Sequence, residues 1–175
     1  MTDTNAARAP GRKNGILDAV KTVVEILLPA AVALVVFTFV LGIGDVNGSS
    51  MEPLYNDNTV TLFYRLGEAE RQDIVLVRSE DLGKMIIKRV IALPGDRVSI
   101  RNGVVRLNGE ALDEPYVAYP GGPDLAELTV PDGTIFVLGD NRAVSMDSRL
   151  LGPIPDSGVL GTVFFSFQLP FSGKK

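Results

Sequence analysis

Residues 85–96 read Met85-Ile86-Ile87-Lys88-Arg89-Val90-Ile91-Ala92-Leu93-Pro94-Gly95-Asp96, or MIIKRVIALPGD. The first nine are rich in β-branched residues and stop at a Pro-Gly turn signal, which is the pattern of a strand. Alternate side chains of a strand share a face, so Lys88 goes with Ile86 and Val90, while Arg89 goes with Ile87 and Ile91. One of the two cations must therefore point toward the core. A buried arginine keeps its charge, but desolvation has brought buried lysines down to pKa values of about 5 or 6. Neutrality near pH 7 to 8 demands a drop of about 3 units, or about 4 kcal/mol, which a dry apolar pocket can supply. The competing reading is a lysine that blunts a sheet edge against aggregation.

Working outward, the same short β-branched runs recur at residues 59–66 (TVTLFYRL), 73–77 (DIVLV), 98–101, 104–107, 134–138 (TIFVL) and 159–167 (VLGTVFFSF). They predict a mostly β domain. Asn102-Gly103 and Asn108-Gly109 are suited to type I′ turns, and the first predicts a two-residue hairpin. Residues 114–132 (EPYVAYPGGPDLAELTVPD) are rich in Pro and Gly and read as an irregular connection, and the tail 171–175 reads as frayed.

Upstream, residues 26–43 (ILLPAAVALVVFTFVLGI) form an 18-residue run without a charge, long enough to cross a bilayer. Pro29 falls in the first turn of that run, where a missing N–H costs least. A cleavable signal segment competes with a permanent anchor, but such apolar regions are shorter, about 7 to 15 residues. Arg8, Arg12, Lys13 and Lys21 precede the run and no Lys or Arg follows until Arg65, so the N-terminus is expected in the cytoplasm. The expected organisation is a basic N-terminus (1–25), a single-pass transmembrane helix (26–43) and an extracytoplasmic β-rich domain (44–175).

Composition narrows the chemistry. A net charge of −4 argues against a nucleic-acid partner. With no Cys and no His in 175 residues, thiol nucleophiles, disulfides, Cys/His zinc sites and Ser-His-Asp triads are all excluded. Carboxylates, lysine, tyrosine and hydroxyls remain. Polar clusters of interest are Ser49-Ser50 within NGSSMEPL, Lys88, and GDNRAVSMDSR at residues 139–149. Adjacent serines in an extended segment point opposite ways, so only one can meet a given base. Taken alone, the serines also fit a juxtamembrane linker.

In order along the chain stand V-x-G-x-S-M-x-P at 46–53, DIV at 73–75, KRVIALPGD at 88–96, NGEALDEPY at 108–116, and GDNR with S-x-D-S-R at 139–149. Together with the basic N-terminus and the single span, they resemble type I signal peptidases (leader peptidases). The resemblance implies an antiparallel β-sheet catalytic domain of signal-peptidase type behind a membrane anchor. It implies Ser50 as nucleophile, with its backbone N–H in the oxyanion hole, and Lys88 as general base. Ser145 matches a second serine that hydrogen-bonds and orients the lysine. Asp147 and Arg149 match a bracing ion pair, with Asp140 and Arg142 in the same supporting shell. The reaction so implied is hydrolysis of signal-peptide-bearing preproteins after small residues, with the lipid bilayer as a second partner and neither metal nor cofactor required. Pocket walls are expected near Ile86, Ile87 and Val144, and the loop around Leu54 and Tyr55 is expected to touch lipid.

The chain departs from the family pattern at three places. Gly48 stands where many members carry a hydroxyl that assists the oxyanion hole, Leu54 replaces the usual Thr after Pro53, and Ala143-Val144 replace a common Asp-Asn. Loss of one oxyanion donor typically costs about 10² to 10³ in rate. Three other readings remain: a self-cleaving repressor, which would be soluble and carry a DNA-binding domain; a maturation peptidase with dedicated substrates; and a membrane-anchored β-domain without activity.

Overall fold

The computed structural model describes residues 15–79 and 82–168. Arg8, Arg12, Lys13 and the tail at 171–175 lie outside the described residues. The chain divides into two compact units, one ending at Thr38 and the other beginning at Phe39.

Helix α1 runs Gly15–Val35 in the first unit and continues as a π-helical turn, Val36–Val40, whose last two residues fall in the second. Together they make 26 residues, within which an 18-residue stretch reaches a mean hydropathy of 2.6, long and apolar enough to cross a membrane. The helix starts well before the uncharged run, so Pro29 lies in its interior rather than its first turn. There it removes one backbone hydrogen bond, which transmembrane helices tolerate. The end also differs: residues 41–43 leave the helix and begin strand β1.

The second unit is built from antiparallel strands β1 (Leu41–Val46), β2 (Thr59–Tyr64), β3 (Ile74–Ser79), β4 (Lys84–Ala92), β5 (Arg97–Arg101), β6 (Val104–Leu107), β7 (Glu110–Ala111), β8 (Leu125–Thr129), β9 (Thr134–Leu138), β10 (Ile154–Pro155) and β11 (Val159–Gln168), with a short helix α2 (Ser148–Leu151). Seven strands form one sheet in the order β1-β2-β11-β3-β4-β9-β10, and four form a second in the order β7-β6-β5-β8. Strand β11 thus lies between β2 and β3. Strand β1 alternates buried Gly42, Gly44 and Val46 with less buried neighbours, the period of a sheet edge with one covered face.

Both Asn-Gly turns are two-residue hairpin loops, with Arg101 opposite Val104 and Leu107 opposite Glu110, and positive φ at all four turn residues. Asp96 fixes the small sheet to the large one. Its carboxylate accepts from Arg71 Nε and Nη2, Leu93 N and Asn108 Nδ2 at 2.7–3.0 Å. The apolar core between them centres on fully buried Val98, Val130, Phe136 and Leu138.

The expectation that one of Lys88 and Arg89 faces the core falls short, because both are buried, at 2% and 9% exposure. The sheet is covered on both faces here, and each cation enters a different polar layer.

Candidate active site

Ser50 sits in the turn that follows β1. The side chain after it, Met51, is completely buried among Val46, Tyr55, Phe63 and Ile87, so the turn is pinned from below. From the other side Asn141 N donates to the Ser50 carbonyl at 3.0 Å. Gly48, two residues earlier, has φ +104° and donates its N–H to Asp57 Oδ1. That backbone conformation suits glycine and disfavours any residue carrying a hydroxyl.

Lys88 comes from β4, opposite Val75 of β3. Its Nζ donates to Ser50 Oγ at 2.8 Å and to the Ile87 carbonyl at 2.9 Å. Burial pushes the ammonium down from 10.5 to about 8; Asp147 and Asp140 oppose that fall, while Lys84 and Arg149 reinforce it. With only neutral oxygens in hydrogen-bond contact, losing the proton breaks no ion pair. Of the two serines that sequence alone leaves equivalent, Ser50 is the one that reaches the lysine.

Arg89, pointing the other way, receives a carboxylate. Its Nε and Nη2 donate to Asp140 Oδ1 and Oδ2 at 2.8 and 2.6 Å, its Nη1 donates to the Gln72 carbonyl, and its guanidinium lies 3.9 Å from the centre of the Tyr116 ring. Asp147 and Arg149 form the ion pair the resemblance implies, with Nε to Oδ1 and Nη2 to Oδ2 both at 2.8 Å. Asp147 also caps α2 and accepts from Gly139 N. Arg142 pairs with Glu114, at 2.7 and 3.1 Å, rather than with Asp140.

Ser145 corrects one expectation. Its Oγ is buried and makes no hydrogen bond, so the bond to the lysine amine is not formed, and the Ile87 carbonyl takes that donor instead. Ser145 is nevertheless close to the site. A Cβ on Gly139 would collide with both Ser145 Oγ and the Ser50 carbonyl oxygen, which explains why position 139 is glycine.

Lys88 and Ser50 open into a groove of about 500 Å³. Residues 44–50 and residues 84–88, Ile86 and Ile87 among them, line it together with Val144 and Met146. Both segments present strand edges, since β1 ends the sheet and β9 pairs with β4 only from Arg89 onward. Sequence reasoning assigned no site role to Arg89, weighed only as a possible buried cation, or to Glu114 and Tyr116, which it noted only within the NGEALDEPY motif. A signal was available for the first, because an arginine in an apolar strand cannot shed its charge and so requires an acid.

A serine against a buried, largely desolvated lysine, at the floor of a groove between strand edges, is the arrangement of serine hydrolases that use an amine where others use imidazole. The family described as "Signal peptidase, peptidase S26" matches residues 19–168, and the chain belongs to it. It is 36% identical to "Probable signal peptidase I-2" of Synechocystis over 95% of this chain and 80% of that protein. It is also 36% identical to "Signal peptidase I S" of Bacillus subtilis over 92% and 93%. Among solved structures it resembles a signal peptidase I from Enterococcus faecalis, with TM-score 0.52 and 33% identity, covering 57% of this chain and 99% of that one.

Proposed function

We propose that this chain is a membrane-anchored serine endopeptidase that removes N-terminal signal peptides from exported preproteins, with Ser50 as nucleophile and Lys88 as general base. The observation that carries this reading is the 2.8 Å contact between Ser50 Oγ and the buried Lys88 Nζ. Once Lys88 is neutral, its lone pair takes the Ser50 proton as Oγ attacks the scissile carbonyl. The Ser50 N–H steadies the developing oxyanion, Lys88 returns the proton to the leaving amine, and water clears the acyl-enzyme. The substrate enters as an extended strand between the two edges of the groove. Ile86, Ile87 and Val144 offer shallow apolar walls that favour small side chains. Asp140, Arg142, Asp147 and Arg149 hold the supporting segments in place.

The anchor lies within residues 15–40, and the basic residues before it favour a cytoplasmic N-terminus with the β-domain on the far side of the cell membrane. Lipid contact by the β-domain is supported by an exposed apolar face. Ile43, Leu62 and Phe165 align across β1, β2 and β11, beside exposed Tyr64 and Phe167. Leu54 is exposed as expected, but Tyr55 is a core residue and takes no part.

Cleavage of a synthetic preprotein by the detergent-solubilised full chain tests the reading. Ser50→Ala and Lys88→Ala are expected to abolish turnover while Ser49→Ala retains it. Wild-type turnover by Ser50→Ala would refute it.

A further inference from the structure

Residues 112–124 connect β7 to β8; the sequence assigns the first of them to the NGEALDEPY motif and reads 114–132 as an irregular connection, yet in the fold this segment meets Arg89, Arg142 and Arg149 around the site. The Tyr116 ring lies against Arg89. Glu114 accepts from Arg142 Nη1 and Nη2 and from Tyr116 Oη at 3.0 Å. The Gly121 carbonyl accepts from Arg149 Nη1 at 2.9 Å, and Tyr119 bridges Asn141.

We propose that Glu114 and Tyr116 are positioning residues for the dyad, setting where the segment carrying Lys88 lies relative to the segment carrying Ser50. The inference rests on the roles assigned above to those two residues. Each half of the pair leads to one member of the dyad through a short chain of contacts. Tyr116 packs on Arg89, the residue after Lys88. Glu114 holds Arg142, whose Nε donates to the Gly139 carbonyl at 2.8 Å, and whose neighbour Asn141 holds the Ser50 carbonyl. The Tyr116–Glu114 hydrogen bond closes this loop. Buried ion pairs add little net stability compared with apolar packing, so stability alone is a poor account of such an arrangement. What it does supply is fixed geometry, and a misplacement of about 1 Å at a reacting group can cost about 10²-fold in rate.

Loosening the strap also lets water reach Lys88. The charges acting on that amine are Asp147, Lys84, Arg149 and Asp140, so a change in its titration caused by the strap reports a change in geometry and solvation, not a direct field.

The test is preprotein cleavage by the full-length protein across pH, with thermal unfolding recorded alongside. Tyr116→Leu is expected to lower kcat about 10- to 100-fold with KM within about twofold, and to move the basic limb of kcat/KM upward. Glu114→Gln should do the same to a smaller degree, about tenfold. Tyr116→Phe keeps the ring on Arg89 but loses the hydrogen bond to Glu114, so its kcat loss and limb shift should be smaller than those of Tyr116→Leu. If Tyr116→Leu does not fold, Glu114→Gln decides by the same limb shift. Loss of melting temperature and activity together, with the limb unmoved, would overturn the proposal, as would wild-type kcat in both variants. Ser50→Ala runs in parallel. Activity there would sink the dyad itself, whereas an inactive Ser50→Ala beside unaffected strap variants would sink only the positioning role.

Discussion

Lys88 and Arg89 are consecutive on β4 and both buried, but only Arg89 is given a carboxylate, Asp140, gripped by two hydrogen bonds. Arginine cannot be neutralised in a protein, so burying it demands an anion. Lysine can escape the same cost by releasing its proton. The strand thus uses one acid where two would be needed to hold both charges, and Lys88 becomes a base.

The first consequence is a pH profile. Deprotonated Lys88 is the working form, so kcat/KM should rise through a single limb near the lysine value of about 8 and level off above it. Initial rates on a synthetic preprotein between about pH 6 and 10 measure this, and a flat profile counts against Lys88 as base.

Stability should rise with pH as activity does, but over a higher range. The folded state holds the Lys88 proton less tightly than the unfolded chain, about 8 against 10.5. Below about 8 the cost is therefore fully present, and stability recovers as pH rises from there toward 10.5. Lys88→Met, though inactive, should be more stable than wild type at pH 7 by about 1 to 3 kcal/mol. The gain should shrink at about pH 10. Denaturant unfolding at the two pH values checks both statements, and a destabilised variant at pH 7 would contradict them.

Gly139→Ala places a methyl group against Ser145 Oγ and the Ser50 carbonyl. The Ser50 turn must shift, so kcat should fall about 10²-fold at modest cost to stability, about 1 to 3 kcal/mol. Parallel activity and melting measurements decide this. Normal turnover would mean the turn can yield without moving Oγ.

Gly48→Ser restores a hydroxyl to the position where many relatives of this type carry one, but forces it onto a backbone at φ +104°. The variant should lose about 1 kcal/mol or more of stability and gain no rate. A rise in kcat would show that the turn relaxes and that oxyanion support is limiting.

The β architecture was largely legible, because β2 to β6, β9 and β11 each carry β-branched runs bounded by turn residues. Strand β1 was not, since Leu41, Gly42 and Ile43 extend an apolar run that belongs mostly to the helix. What separates them is packing: the Phe63 ring occupies the space where a side chain on Gly42 would go. Strand β8 shows no alternation of burial, being an edge of the small sheet, and hid inside a Pro/Gly-rich stretch. For the site, alternation around Lys88 identified a buried cation, while the choice of Ser50 came from family resemblance, because nothing local separates it from Ser49. The roles of Glu114 and Tyr116, noted only within the NGEALDEPY motif, were not legible because their arginine partners lie far away along the chain.

The position of β11 determines when the site comes into being. Strands β1 and β2 present Ser50, β3 and β4 present Lys88, and the sheet joins these halves through β11, the last strand in chain order. During synthesis both reactive residues emerge long before they can be locked into one sheet, so the nascent chain carries its nucleophile and base apart. The two residues share one continuous sheet only when the last strand is in place.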